Sequence, residues 1–171
     1  MTTAYLGSIR YYSRLLREGI VPDLSVPYRK QTGMNRCLID APDGQLVLSV
    51  PVVNPHGRTA VGEVLVSEHG KWRHRHWNAL GSSYGQTPYF EYYAEDFYPF
   101  YHERSWERLA DLNEALHATV MRLLDPFPLI PEDRRRSEPY FQMFASRHGF
   151  IENLSIVDLL FNMGPESVYY L

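Results

Sequence analysis

The residues with the chemistry to act on a substrate gather in two places. Between Lys71 and Tyr93 the chain reads KWRHRHWNALGSSYGQTPYFEYY, with His74 and His76 two positions apart. An imidazole titrates near working pH, so His76 is the candidate general base. His69, His74 and His76 also invite a metal reading. An i, i+2 pair does not share a helical face, and no carboxylate or thiol completes a ligand pattern, so no metal is expected. The lone thiol, Cys37, could act as a nucleophile beside a histidine, but a buried hairpin cysteine is more often a small hydrophobe. The second place is YRKQTGMNRC, Tyr28–Cys37, where Lys30 and Arg36 flank Gln31 and Asn35. Long donors close together in a loop can grip a carboxylate or phosphate. No nucleophile elbow, phosphate loop or dinucleotide fingerprint occurs.

The first of these segments is also aromatic. Extended to Trp106 it holds half of the aromatic residues and every tryptophan. Leu, Ile and Val would fill a plain core, whereas Tyr and Trp bring a polar handle that needs a partner when buried. The segment is therefore either a polar core or the wall of a site.

Composition narrows the setting. The chain has 171 residues, 44% hydrophobic and 22% charged, which suits one globular domain. A net charge of −3 argues against a dedicated nucleic-acid binder. A single Cys cannot form an intrachain disulfide, and MTTAYLGSIRYYSRLLREG lacks an apolar signal core. No stretch approaches about 18 continuous apolar residues, so no membrane span is expected and the expected location is the cytoplasm.

Those residues must be positioned by a small set of elements. Ser8 caps a helix from about Ile9 to Glu18, with Gly19 as its stop and Arg10 and Arg14 on a solvated face. Cys37–Asp40 and Gln45–Val50 form a hairpin about Ala41-Pro42-Asp43-Gly44, because Pro presets one dihedral and Gly accepts a positive φ. Ala60–Val66 reads as a third antiparallel strand. The spacing of Trp77, Leu80 and Tyr84 is helical, weakened by Gly81. Thr87 caps a second helix with Pro88 at its first position, and Ser105 caps the longest one, Trp106 to about Leu124, whose apolar stripe is core. Asp125–Pro139, with four prolines and the Arg134–Arg136 run, is a linker or lid. Ser155 and Asp158 read as a capping box, with Leu154 and Leu159 as its staple, over a last helix ended by Gly164-Pro165. Asn153 and Asn162 have no such account. The expected fold is α+β: a single domain over residues 1–171 with a small antiparallel sheet packed against several helices.

Three segments resemble one family. YRKQTGMNRCLI with LSVPV, then HWNALGSSYGQTPYFEYY, and finally YFQMF followed by GFIENLSIVDLLFNMGPES look like the WbqC-like protein family. Carried over by position, the motif residues include Lys30, Gln31, Asn35 and Arg36, then His76, Tyr84, Glu91 and Tyr92, then Asn153, Asp158 and Asn162. Two departures stand out: Tyr84-Gly85 where members tend to have Tyr-Arg, and a shortened link before YFQMF. The resemblance implies a cytoplasmic role in O-antigen-type surface-polysaccharide synthesis, with acyl or aminoacyl transfer to an activated amino sugar. It names no cofactor. In that reading Lys30 and Arg36 hold an anionic nucleotide-sugar or activated acyl donor, Tyr84 and Tyr92 stack on it, and His76 takes a proton from the acceptor amine. The other reading is a non-catalytic binding or assembly protein of the same pathway, whose aromatic surface docks a partner enzyme.

Overall fold

The computed structural model describes residues 1–103, 105–125 and 127–171. Pro126, in the expected linker, lies outside the described residues. In chain order the elements are α1 (Ile9–Glu18), β1 (Arg36–Ala41), β2 (Gly44–Ser49), α2 (Trp72–Tyr84), α3 (Phe90–His102), α4 (Leu109–Leu124), α5 (Ala145–His148) and α6 (Ile156–Met163), with short 3₁₀ turns between them. This is an α+β architecture. Its sheet is the antiparallel β1–β2 hairpin, with Cys37 opposite Leu48 and Ala41 opposite Gly44. Ile39, Leu48 and Val50 enter the core, while Leu46 and Val47 face solvent.

Local signals set α1 as expected. Ser8 Oγ accepts from the Tyr11 N–H, and Gly19 closes the helix in the left-handed region. Three expected features change. Ala60–Val66 is not a strand: Val61–Glu63 forms a 3₁₀ turn, tied elsewhere only by isolated bridges among the described residues. Val61 and Val64 are both buried. A spacing of three eclipses side chains in a 3₁₀ turn but alternates them on a strand, so the burial pattern selects the turn. The long helix begins at Leu109, not Trp106. Glu107 O accepts from Val66 N–H and Val64 O from Leu109 N–H, which keeps this stretch extended, and the Trp106 ring stacks on Phe100. Thr87 is not an N-cap. Its hydroxyl donates back to Tyr84 O at 2.7 Å, and α3 starts at Phe90.

α6 is the central element. Ile156, Leu159 and Phe161 are fully buried, and the Phe161 ring meets Tyr84, Phe90 and Phe97. One hydrophobic cluster runs from Tyr5 to Leu171. α6 ends at Gly164, whose φ of 53° and ψ of −127° suit glycine alone. A Cβ there would also sit on the Tyr89 ring. Gly164→Ala is expected to cost about 2 kcal/mol by overpacking and backbone strain. Urea unfolding would measure this, and an unchanged midpoint would refute it.

Candidate functional site

Two helix N-termini cross-cap each other beside the start of β1. Ile9 N–H donates to Leu154 O at 2.9 Å, and Ile156 N–H donates to Gly7 O at the same distance. Ser155 Oγ donates to Leu6 O at 2.7 Å, and Asn153 Oδ1 accepts from Arg10 N–H at 3.0 Å. A pocket of about 380 Å³ opens between this junction and the Gln31–Cys37 segment. Arg36 is the one charged residue lining it, among the Gln31 and Asn153 amides and the Ser8 and Thr32 hydroxyls. The Nε of Arg36 is buried and has no hydrogen-bond partner among the described residues. A buried donor left unpaired costs about 1–3 kcal/mol, more when it belongs to a charged group.

The backbone around the pocket is held in unusual conformations. Among the described residues four non-glycines have positive φ, and three of them line this pocket: Leu6 at 42°, Gln31 at 62° and Asn153 at 56°. Such residues cost of order 1–3 kcal/mol each and cluster at ligand sites. The Ile9, Arg10, Tyr11 and Ile156 N–H groups at the helix starts are already bonded. Attraction for an anion therefore rests on Arg36, with the helix dipoles adding a favourable field. Cys37 also lines the pocket, but burial pushes its thiol well above the ordinary range, so it carries no thiolate.

His76 lies elsewhere. It is 5% exposed, with Nδ1 bonded to Tyr5 OH at 2.8 Å, and Tyr5 OH meets Tyr101 OH at 2.9 Å. Its ring packs against Trp72, Tyr5 and Tyr101. Burial lowers its pKa to about 4, so the ring is neutral at physiological pH.

A second polar cluster is fully enclosed. Asp158, 0% exposed, accepts from Tyr84 OH at 2.8 Å and from Tyr140 OH. Tyr84 OH in turn accepts from Asp40 N–H at 3.1 Å, and Gln142 Nε2 donates to Tyr140 OH at 2.9 Å. The expected capping box is thus replaced: Ser155 turns to Leu6 O, and Asp158 turns inward to two tyrosines. Burial raises Asp158 to about 6, aided by the nearby Asp40 carboxylate and opposed by its tyrosine hydrogen bonds. Asp40 is raised too, chiefly by burial, with His148 Nε2 opposing it from 3.2 Å.

A model of the WbqC-like protein family matches residues 18–126. The chain belongs to this family. No curated protein and no solved structure matches it. The WbqC-like match covers Gln31 and Arg36 on one side of the pocket, while Leu6, Ser8, Asn153 and Ser155 on the other side fall outside it.

The expected site residues of this WbqC-like chain separate into groups. Gln31, Arg36 and Asn153 meet at the pocket. Lys30 turns away, its Nζ on Asn54 Oδ1 at 3.2 Å. Asn35 is buried beneath the loop and donates to Val50 O at 2.9 Å, a fold-holding bond. Tyr84 is enclosed with Asp158, and Asn162 Nδ2 donates to Asp158 O at 2.8 Å, so neither faces a ligand. Glu91 and Tyr92 are exposed on α3, Tyr92 at 76%. The site implied by the resemblance, in which residues of all three segments act together, is therefore corrected: the first and third segments meet, and none of His76, Tyr84, Glu91 and Tyr92 lines the pocket. Residues 4–8 supply the missing wall. In the sequence the only mark on this wall is the Ser8 cap, which reads as a helix start and not as a site.

Among the described residues no group of three His, Cys, Asp or Glu is arranged to hold a metal ion. No helix of the described residues is long and apolar enough to cross a membrane.

Proposed function

We propose that the chain is a transferase of O-antigen-type surface-polysaccharide synthesis that passes an acyl or aminoacyl group to an activated amino sugar, with the Arg36 pocket receiving the anionic group of a donor or sugar phosphate. The observation that carries the reading is Arg36, the one charged residue among those lining a pocket of otherwise uncharged groups, with its Nε lacking a partner among the described residues. A guanidinium fork suits a carboxylate or phosphate, and a bound anion would complete its hydrogen bonding. In such a transfer the acceptor amine attacks the acyl carbonyl, the donor's leaving group departs with its electron pair, and the amine loses a proton. No described residue of the pocket lining is a free base near neutral pH: Tyr11 is raised to about 12 by burial, and Cys37 remains a thiol. The pocket's contribution is then binding and orientation, which convert a bimolecular step into an effectively unimolecular one.

Binding of UDP-N-acetylglucosamine and of inorganic phosphate, followed by calorimetry, tests this. Arg36→Gln should weaken both by about 10- to 100-fold, the equivalent of one charge-assisted hydrogen bond, with little change in unfolding midpoint. Equal binding by the parent and variant proteins would end the reading. The non-catalytic alternative is favoured by one observation: Tyr92 and Tyr98, 76% and 41% exposed, stand on α3 away from the pocket. Under that reading Tyr92→Ser abolishes capture of a partner enzyme of the same pathway and leaves phosphate binding intact.

A further inference from the structure

Two further cavities adjoin the Arg36 pocket around Tyr11. A smaller cavity of about 190 Å³ shares Ala4, Tyr11, Thr32 and Gly33 with it. That cavity in turn shares Thr3 and Tyr11 with a third, of about 420 Å³. The three spaces wrap one ring: Tyr11, seated on Gly7 and edge-on to Tyr12 at 5.4 Å, lines them all. Character changes along this path. The Arg36 end is mixed, setting the guanidinium, amides and hydroxyls beside Leu6, Leu38 and Val47, whereas the far chamber is walled by Ile20, Val21, Pro22 and Leu24, with Glu114 and His117 of α4 at its edge.

The apolar wall is fixed in place and left uncovered. Gly19 N–H donates to Leu15 O at 3.1 Å, Asp23 N–H to Met1 O at 2.9 Å and Gly62 N–H to Leu24 O at 3.0 Å, so the backbone is bonded at both ends of this stretch. Even so Val21 is 83% exposed and Leu24 41%. A bonded segment presenting apolar side chains to a chamber that shares the Tyr11 wall with the neighbouring spaces, and through them with the Arg36 pocket, matches a molecule that is charged at one end and apolar at the other.

Resting on the reading of the Arg36 pocket as an anion site, we propose that the three adjoining cavities act as one groove that binds a single-chain amphiphile, its anionic head at Arg36 and its alkyl tail running past Tyr11 into the Ile20–Leu24 chamber. The head can be a carboxylate or a phosphate, since a guanidinium accepts either.

Calorimetric titration with straight-chain alkanoates from acetate to decanoate, and with decyl phosphate, tests the groove. Each added methylene should tighten binding roughly fourfold, the transfer free energy of a buried CH₂. Arg36→Gln should weaken every member by a similar factor and keep the slope. The pair Val21→Asp and Leu24→Asp should flatten the slope while acetate binding is retained, and their unchanged circular dichroism would show that the fold is intact. Decanoate binding more tightly than decyl phosphate identifies a carboxylate head, and the reverse order a phosphate one. A flat series with Arg36-dependent acetate binding overturns the groove and leaves the pocket standing. A slope that survives the Val21 and Leu24 replacements also overturns it, because the tail then lies elsewhere. Absence of Arg36-dependent binding for every probe overturns both this proposal and the reading beneath it.

Discussion

Replacing Asp158 by Ala is expected to destabilise the protein by about 4 kcal/mol at neutral pH. The variant strands two buried hydroxyls, Tyr84 and Tyr140, each of which now donates to that carboxylate. Each stranded group costs about 1–3 kcal/mol, and the vacated volume adds a cavity cost. Relief of the buried charge offsets part of this. The pH dependence gives a sharper test with Asp158→Asn. Folding raises the Asp158 pKa from the ordinary 3.8 to about 6. Between those values the native state holds a proton that the unfolded chain has released, so stability falls as pH rises through this window. The span corresponds to about 3 kcal/mol. The stability gap between parent and Asp158→Asn should therefore widen on going from pH 7 to pH 4. Denaturant titrations at both values would show this, and a gap that stays constant would mean that Asp158 does not titrate in the window.

His76→Ala is expected to cost about 3 kcal/mol at pH 7, comparable with Trp77→Ala, because the imidazole is packed among Tyr5, Trp72 and Tyr101. Its pH signature has the opposite sign. Burial takes the pKa from 6.5 down to about 4. Between those values the unfolded chain binds the proton that the native state refuses, so this contribution is present above pH 6.5 and is lost on acidification. The gap between parent and His76→Ala should then narrow toward pH 4, while the Asp158→Asn gap widens. In the parent protein the two trends offset one another, leaving stability between pH 4 and 6.5 flatter than either variant reveals. A His76→Ala protein with parental stability and lost turnover would reverse this assignment and restore the imidazole as a general base.

Legibility in the sequence followed the range of the interaction. The Pro42-Asp43-Gly44 turn, the Ser8 cap with its Gly19 stop, and the apolar stripe of α4 are each set by residues within a few positions, and each appears where the sequence places it. The α+β class follows from them. The third strand did not appear, because Val61 and Val64 gain burial at a spacing of three and their backbone bonds go to Val26 and other loop groups rather than to a ladder.

Arg36 and Gln31 could be read as an anion grip from residue type alone, and both reach the pocket. Their companions could not be found that way. Asn153 was singled out only by the family resemblance and by its lack of a capping role, Leu6, Ser8 and Ser155 carry no local mark of a site, and the four meet only because two helix starts far apart in the chain cap each other. Residue type also misled where burial decides. Asp158 at the third position after Ser155 fits a cap locally, yet acceptance from Tyr84, 74 positions away, turns it inward. His76 carries an imidazole suited to base chemistry, yet enclosure by aromatic rings strips its solvation and holds it neutral. Local sequence determines hairpin turn, caps and stripe because their energies arise between near neighbours. The desolvation of a charge, and the meeting of distant side chains, exist only once the chain has packed, and the tertiary structure alone decided those.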